Sequence, residues 1–219
     1  MSSIFPILDR TAIQIKNSFK RFTPIDEGHT FPWVNLVYSG EFFRRAHLDI
    51  IDMRDTKGLY MMHLCIFPHT NDPAPIFGFD LIAGAKKVTG AFHDFSPVAA
   101  DHALLDLFTR RVTGLSLTKP RDLPEWARLI FSENIVAAGN ITDPVEVNQI
   151  CDLMLDNLQY YLDWVGEETA DSYAHKQDQY CLGQRQNPHT PKVLKALGWD
   201  DELVERFITT CLFPYVEEQ

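Results

Sequence analysis

Between Trp33 and Pro97 the apolar and polar positions fall into four runs rich in β-branched and aromatic residues: FFRRAHLDIIDM, LYMMHLCIFP, PIFGFDLIAG and KKVTGAFHDF. The turn-forming stretches RDTKG, HTNDPAP and AGAKK separate them, and together they predict an antiparallel meander. On either side the spacing is helical. Upstream, Ile7, Ile13, Ile15 and Phe19 predict an outer helix over 5–22, after the break at Pro6. Downstream, helical spacing returns in AADHALLDLFTRRV, in DLPEWARLIFSENI and most clearly in DPVEVNQICDLMLDNLQYYLDWV. In that last run Thr142 or Asp143 can cap the start and Pro144 suits the first turn. Two more helices are expected over ETADSYAHKQDQYCLGQRQN and DDELVERFITTCLFPYV. Strands followed by helices imply an α/β chain whose sheet is covered by helices. No repeat, linker or low-complexity segment divides it, so residues 1–219 are expected to form one domain.

Side chains alternate across a strand, which puts His47, Asp49 and Ile51 on one face and Ala46, Leu48 and Ile50 on the other. A turn centred on Asp55, Thr56 and Lys57 pairs Asp49 with His63 and His47 with Cys65. Directly opposed Cβ atoms lie about 4.5 to 5.5 Å apart, within reach of a charge-assisted hydrogen bond. In the third run Asp80 shares a face with Gly78 and Ile82, and it is expected to join the same pocket. A half-buried carboxylate beside histidines has its proton affinity moved by desolvation one way and by imidazolium the other. That is the requirement for a proton donor near neutral pH.

Composition narrows the class. With 45% apolar residues the chain can bury a sizeable core, and its net charge of −10, from 20 basic and 30 acidic residues, argues against a nucleic-acid or anionic-membrane surface. The N-terminal MSSIFPILDR lacks a charged leader, and no run approaches the roughly 18 apolar residues of a membrane span, so a cytoplasmic protein is expected. Cys65, Cys151, Cys181 and Cys211 are widely spaced, without a C-x-x-C pair, and read as reduced, semi-buried thiols. Neither a G-x-G-x-x-G after a strand nor a P-loop is present.

The segments HLDI, MHLCIFP, PIFGFDLIAG, VTGAFHDFSP, DLPEWARLIFSE and QYCLGQRQNPHTPKVLKALG together resemble the ferredoxin-dependent bilin reductases, most closely their phycocyanobilin:ferredoxin oxidoreductase branch. The resemblance runs from about residue 40 to the C-terminal TTCLFPYV, and F-G-x-D-x-x-A-G is its most specific part. It implies a three-layer α/β/α sandwich with a central antiparallel sheet, and an open-chain tetrapyrrole, biliverdin IXα, held between the sheet and the C-terminal helices. It also implies an enzyme without metal, flavin or haem, in which ferredoxin delivers single electrons, the bilin becomes the radical and side chains supply protons.

Matched by position, Asp80 corresponds to the family's central aspartate, His63 to the histidine that shares its proton, and His47 to a histidine behind that pair. Asp49 stands where phycocyanobilin-forming relatives carry a glutamate tied to protonation of the ring D vinyl group. Asn187 matches a family asparagine, but Pro188 occupies the next position, where many relatives carry an aspartate linked to ring A reduction; His189 and Thr190 are its neighbours. The altered Asp49 favours a four-electron route through 15,16-dihydrobiliverdin to phycoerythrobilin over the alternative product, phycocyanobilin.

The resemblance further places a propionate near Lys87 and Thr89. Lys86, Lys87, Arg110, Arg111, Lys119, Arg121 and Arg128 form the densest basic set for the substrate carboxylates and an acidic ferredoxin. Trp126 and Phe131 are expected as core anchors, and Phe77, Phe79 or Ile82 as ring contacts. A monomer is expected. Two readings from other classes compete: a non-haem iron site formed by His47-x-Asp49 with a later histidine such as His93 or His102, and a bilin carrier without catalysis.

Overall fold

The structure is a computed structural model that describes residues 4–28 and 30–216. Seven antiparallel strands form one sheet in sequence order: β1 (Thr23–Ile25), β2 (Val34–Ser39), β3 (Arg45–Met53), β4 (Leu59–Phe67), β5 (Ile76–Gly84), β6 (Val88–Ser96) and β7 (Val136–Ala138). The four runs legible in the sequence are β3 to β6. The connection RDTKG is a four-residue helix, α2 (Arg54–Lys57), ended by Gly58 at φ 63°, a left-handed conformation that favours glycine. This closure produces the expected register, with Asp49 opposite His63 and His47 opposite Cys65.

Helices cover both faces. On one, α1 (Phe5–Ser18), α3 (Ala103–Val112) and α5 (Pro144–Leu162) pack on the sheet through Leu8, Phe108, Met154 and Leu158 against Leu48, Leu64, Phe79 and Phe95. Removing each such side chain from water contributes roughly 1.5 to 3 kcal/mol, which makes this apolar layer the principal core. Asp143 caps α5 by accepting from the Val145 amide, as its sequence predicted. α1 starts at Phe5, ahead of Pro6, and ends at Ser18 rather than residue 22. Its buried face holds Leu8, Thr11, Ala12 and Ile15, so Ile13 is turned outward.

The opposite face carries α6 (Ala174–Arg185), α7 (His189–Ala196), α8 (Asp201–Arg206) and a π-helical turn at Phe207–Leu212. Their apolar side chains meet the sheet at Cys65, Phe67 and Ile76. DLPEWARLIFSENI, read as a helix, is helical only over α4 (Glu125–Arg128), and its last residues lead into the edge strand β7. β1, β2 and β7 were not separately legible: β1 and β7 are three-residue edge strands, and β2, which lies between β1 and β3, has no clean burial alternation.

Candidate active site

The pleat of the sheet sets a row of side chains across five strands on the face covered by α6 to α8. Asn35, Asp49, His63, Asp80 and Phe92 are successive cross-strand partners, and Val37, His47, Cys65, Gly78 and Asp94 form the next row. The first row opens on a cavity of about 440 Å³, within the range of small-molecule sites. Its floor includes Asp49, Met61, His63, Asp80, Ile82 and Phe92; its walls include Arg121, Trp126, Phe131, Tyr180, Asn187, Pro188, His189 and Thr190.

His63 and Asp80 are half-buried by accessible surface because they face the cavity, although both lie deep in the protein. Desolvation dominates their chemistry. It raises the Asp80 carboxyl from 3.8 to about 7, and it lowers the His63 imidazole to about 4, with the positive field of Arg45 adding to the effect. Asp49 is raised to about 7 by burial, against the opposing effects of a hydrogen bond from Trp33 and of Arg45. Two carboxyl groups able to carry protons near neutrality therefore flank a neutral imidazole.

Behind this row, His47 is fully buried, with Nε2 2.8 Å from Asn35 Oδ1 and 3.3 Å from Asp49 Oδ2. Its ring centroid lies 5.9 Å from that of His63. Arg45, also buried, makes a bidentate ion pair with Glu27 and donates to the Cys211 carbonyl, supplying the fixed positive charge. Asp94, raised by burial to about 6, accepts bonds from Ser132 and Ser96 and so anchors the loop after α4 as a cavity wall. The four thiols are buried and pushed up by desolvation, which makes them poor nucleophiles.

Raised carboxyl pKa values have a stability consequence whose sign is opposite to the common case. Between pH 3.8 and about 7, folded Asp80 keeps a proton that the unfolded chain has lost, so its contribution to stability falls as pH rises through that window. Asp80→Asn carries no such charge. Urea unfolding is expected to show it stabilised relative to the parent protein more at pH 8 than at pH 5; an equal difference at both pH values contradicts a desolvated Asp80.

The structure brings His63, Asp80, Asp49 and Asn187 together around one cavity and sets His47 directly behind Asp49. Asn187 accepts from the His189 amide at the start of α7, so its carbonyl oxygen is committed to the backbone. Lys87 and Thr89 do not line the cavity. Lys87 is exposed and bonds Asn140, and Thr89 sits at a register shift in β6, its hydroxyl donating to the Ile82 carbonyl. Of the basic set, Arg121 does line it. Trp126 and Phe131, expected in the core, also face the cavity, because α4 is one short turn lying over it. Phe77 and Phe79 both belong to the opposite core, and of the three expected ring contacts Ile82 is the one on the strand face that carries Asp80 and opens on the cavity.

The iron reading loses its distal ligands. His93 lies on the other face of the sheet, between the Gly78 carbonyl and Asn157, and His102 caps α3. The nearest grouping is His47, Asp49 and His63, whose side-chain heteroatoms lie within 4.8 Å of one another; there His47 Nε2 is spent on Asn35. Sequence reading missed Trp33 and Asp94. Alternation with Phe92 was a usable signal for Asp94, whereas Trp33 precedes a strand that shows none.

Comparison with known proteins agrees with this geometry. A profile of the ferredoxin-dependent bilin reductase family matches residues 4–214. Phycocyanobilin:ferredoxin oxidoreductase of Synechococcus sp. is 30% identical over 199 residues, covering 85% of this chain and 77% of that protein. The enzyme of the same name from Trichodesmium erythraeum is 29% identical over 197 residues, covering 85% and 78%. Among solved structures, PcyX is 32% identical with a TM-score of 0.69, covering 97% of this chain and 98% of its own. Phytochromobilin synthase from tomato, solved in complex with biliverdin, shares the fold with a TM-score of 0.78 at 19% identity, covering 98% and 84%.

Proposed function

The chain belongs to the ferredoxin-dependent bilin reductases, and from that premise we propose that it reduces biliverdin IXα in the cavity over the sheet, with electrons from ferredoxin and protons from the Asp49–His63–Asp80 row. The observation that carries the reading is the position of Asp80: directly opposite His63, facing the cavity, with a proton affinity near neutrality. Ferredoxin gives one electron at a time, so each two-electron reduction needs two electron transfers and two protons. Asp80 donates to the reduced bilin. Asp49, on the other side of His63, restores the spent proton through the imidazole.

The preferred product is phycoerythrobilin, formed through 15,16-dihydrobiliverdin with a total of four electrons and four protons. Its support is Asp49, which is one carbon–carbon bond, about 1.5 Å, shorter than the glutamate implied for vinyl reduction. The names of the curated relatives favour phycocyanobilin as the second reading.

Arg121 is the group we assign to a substrate propionate, in place of Lys87. Its guanidinium lies 5.8 Å from the centroid of the Phe92 ring, and among the described residues it has no carboxylate partner. The absence of a side chain at Gly139 makes room for it, since a Cβ there would come within 2.6 Å of Arg121 Nε. Arg121→Gln is expected to weaken biliverdin binding by roughly 10- to 100-fold, as for loss of a hydrogen bond between charged groups. Absorbance titration checks this, and the dimethyl ester of biliverdin should bind both proteins alike.

The function itself is tested by anaerobic absorbance of the protein with biliverdin and a ferredoxin-reducing system. Consumption of biliverdin that requires ferredoxin supports the reading. Binding without consumption favours a carrier, and neither binding nor consumption removes the proposal.

A further inference from the structure

Asp49 is held by a side chain that the proton row does not include. Trp33, just before β2, directs its indole Nε1–H at Asp49 Oδ1, 3.1 Å away. The other oxygen, Oδ2, has no hydrogen bond and lies 3.3 Å from His47 Nε2, whose better-directed contact is Asn35 Oδ1 at 2.8 Å. Asp49 thus has a single well-aimed donor.

Trp33 is itself fixed by an aromatic cage drawn from three separate segments. Phe31 stacks on it with ring centroids 5.4 Å apart and planes at 11°. Trp199, from the turn between α7 and α8, stacks at 4.8 Å and 18°. Phe207, on the π-helical turn, meets it edge-on at 5.8 Å. A half-buried tryptophan with its ring restrained on these sides has little freedom to turn its N–H away. Stacked and edge-on contacts of this kind hold orientation as well as bury area.

We propose that Trp33 is a positioning residue for Asp49: its caged indole N–H fixes Oδ1 and leaves Oδ2 as the oxygen that carries and passes on the proton. A carboxyl that accepts at one oxygen places its O–H on the other, so the oxygen that bears the proton is set before a bilin binds. This deepens the proposed function, since it gives Asp49 its role in that reaction. The ionisable groups around Asp49 are His47 and Arg45 on its own strand, His63 opposite on β4, and Cys211 on the π-helical turn; Glu27 neutralises Arg45. The indole N–H favours the ionised carboxylate. Its removal makes Asp49 hold its proton more tightly.

Trp33→Phe keeps an aromatic ring in the cage and deletes the donor. In infrared difference titration of the bilin-free protein, the carboxyl step that Asp49→Asn abolishes is expected in Trp33→Phe about one to two pH units above its parent position, while the steps that Asp49→Asn leaves intact stay in place. An unmoved Asp49 step, or an equal shift of every carboxyl step, overturns the proposal. A second measurement requires neither bilin nor a Trp33 variant. Tryptophan fluorescence of the parent protein should titrate near pH 7, and Asp49→Asn should abolish that step. A flat parent titration, or a step that survives in Asp49→Asn, overturns the proposal. An intact step in a protein that does not reduce biliverdin overturns the functional reading and leaves the Trp33–Asp49 pairing standing.

Discussion

Asp80→Asn is expected to bind biliverdin within a few-fold of the parent affinity and to lose reduction by a factor on the order of 10² to 10⁴, the usual worth of a positioned acid. The amide fills the same space opposite His63 and faces the same cavity, so binding contacts survive. What disappears is a carboxyl whose burial holds its proton affinity near 7. Ferredoxin can still deliver an electron, but the reduced bilin no longer receives its proton from the sheet. Single-turnover absorbance with electron paramagnetic resonance should show a one-electron-reduced pigment that persists. Turnover at the parent rate means that the protons come from elsewhere.

Asp49→Glu is expected to change the product rather than the rate. Asp49 occupies the same row as Asp80 on the far side of His63, and glutamate would carry its carboxyl about 1.5 Å farther. Proton transfer needs hydrogen-bond contact, so a displacement of that size decides which carbon of the bilin is reached. The product mixture, separated by chromatography, should move from phycoerythrobilin towards phycocyanobilin in Asp49→Glu. An unchanged mixture means that reach at position 49 does not select the reduction site. The added methylene must be accommodated beside Trp33 and His47, so some loss of stability is expected as well.

The sheet and its polar row were legible because period-two alternation leaves little freedom once one register is known. Placing Asp49 opposite His63 followed from the centre of one turn, and Asp80 followed from parity along β5. That the turn is a short helix did not disturb the pairing. What lay outside the sequence was the cavity roof. Trp126 and Phe131 have helical spacing, but α4 stops after one turn and presents them to the cavity. Lys87 and Arg121 are indistinguishable as isolated cations in the sequence; only the fold turns one outward to Asn140 and lays the other across Gly139. Trp33 was invisible for a similar reason, since its cage joins residues near 31, 199 and 207.

One measurement tests the account most directly: anaerobic turnover of biliverdin IXα with reduced ferredoxin, with pigments separated by chromatography at successive times. The expected result is a 15,16-dihydrobiliverdin intermediate followed by phycoerythrobilin. An intermediate with a ring D ethyl group leading to phycocyanobilin contradicts the role given to Asp49, and unchanged biliverdin in the presence of reduced ferredoxin contradicts the whole account.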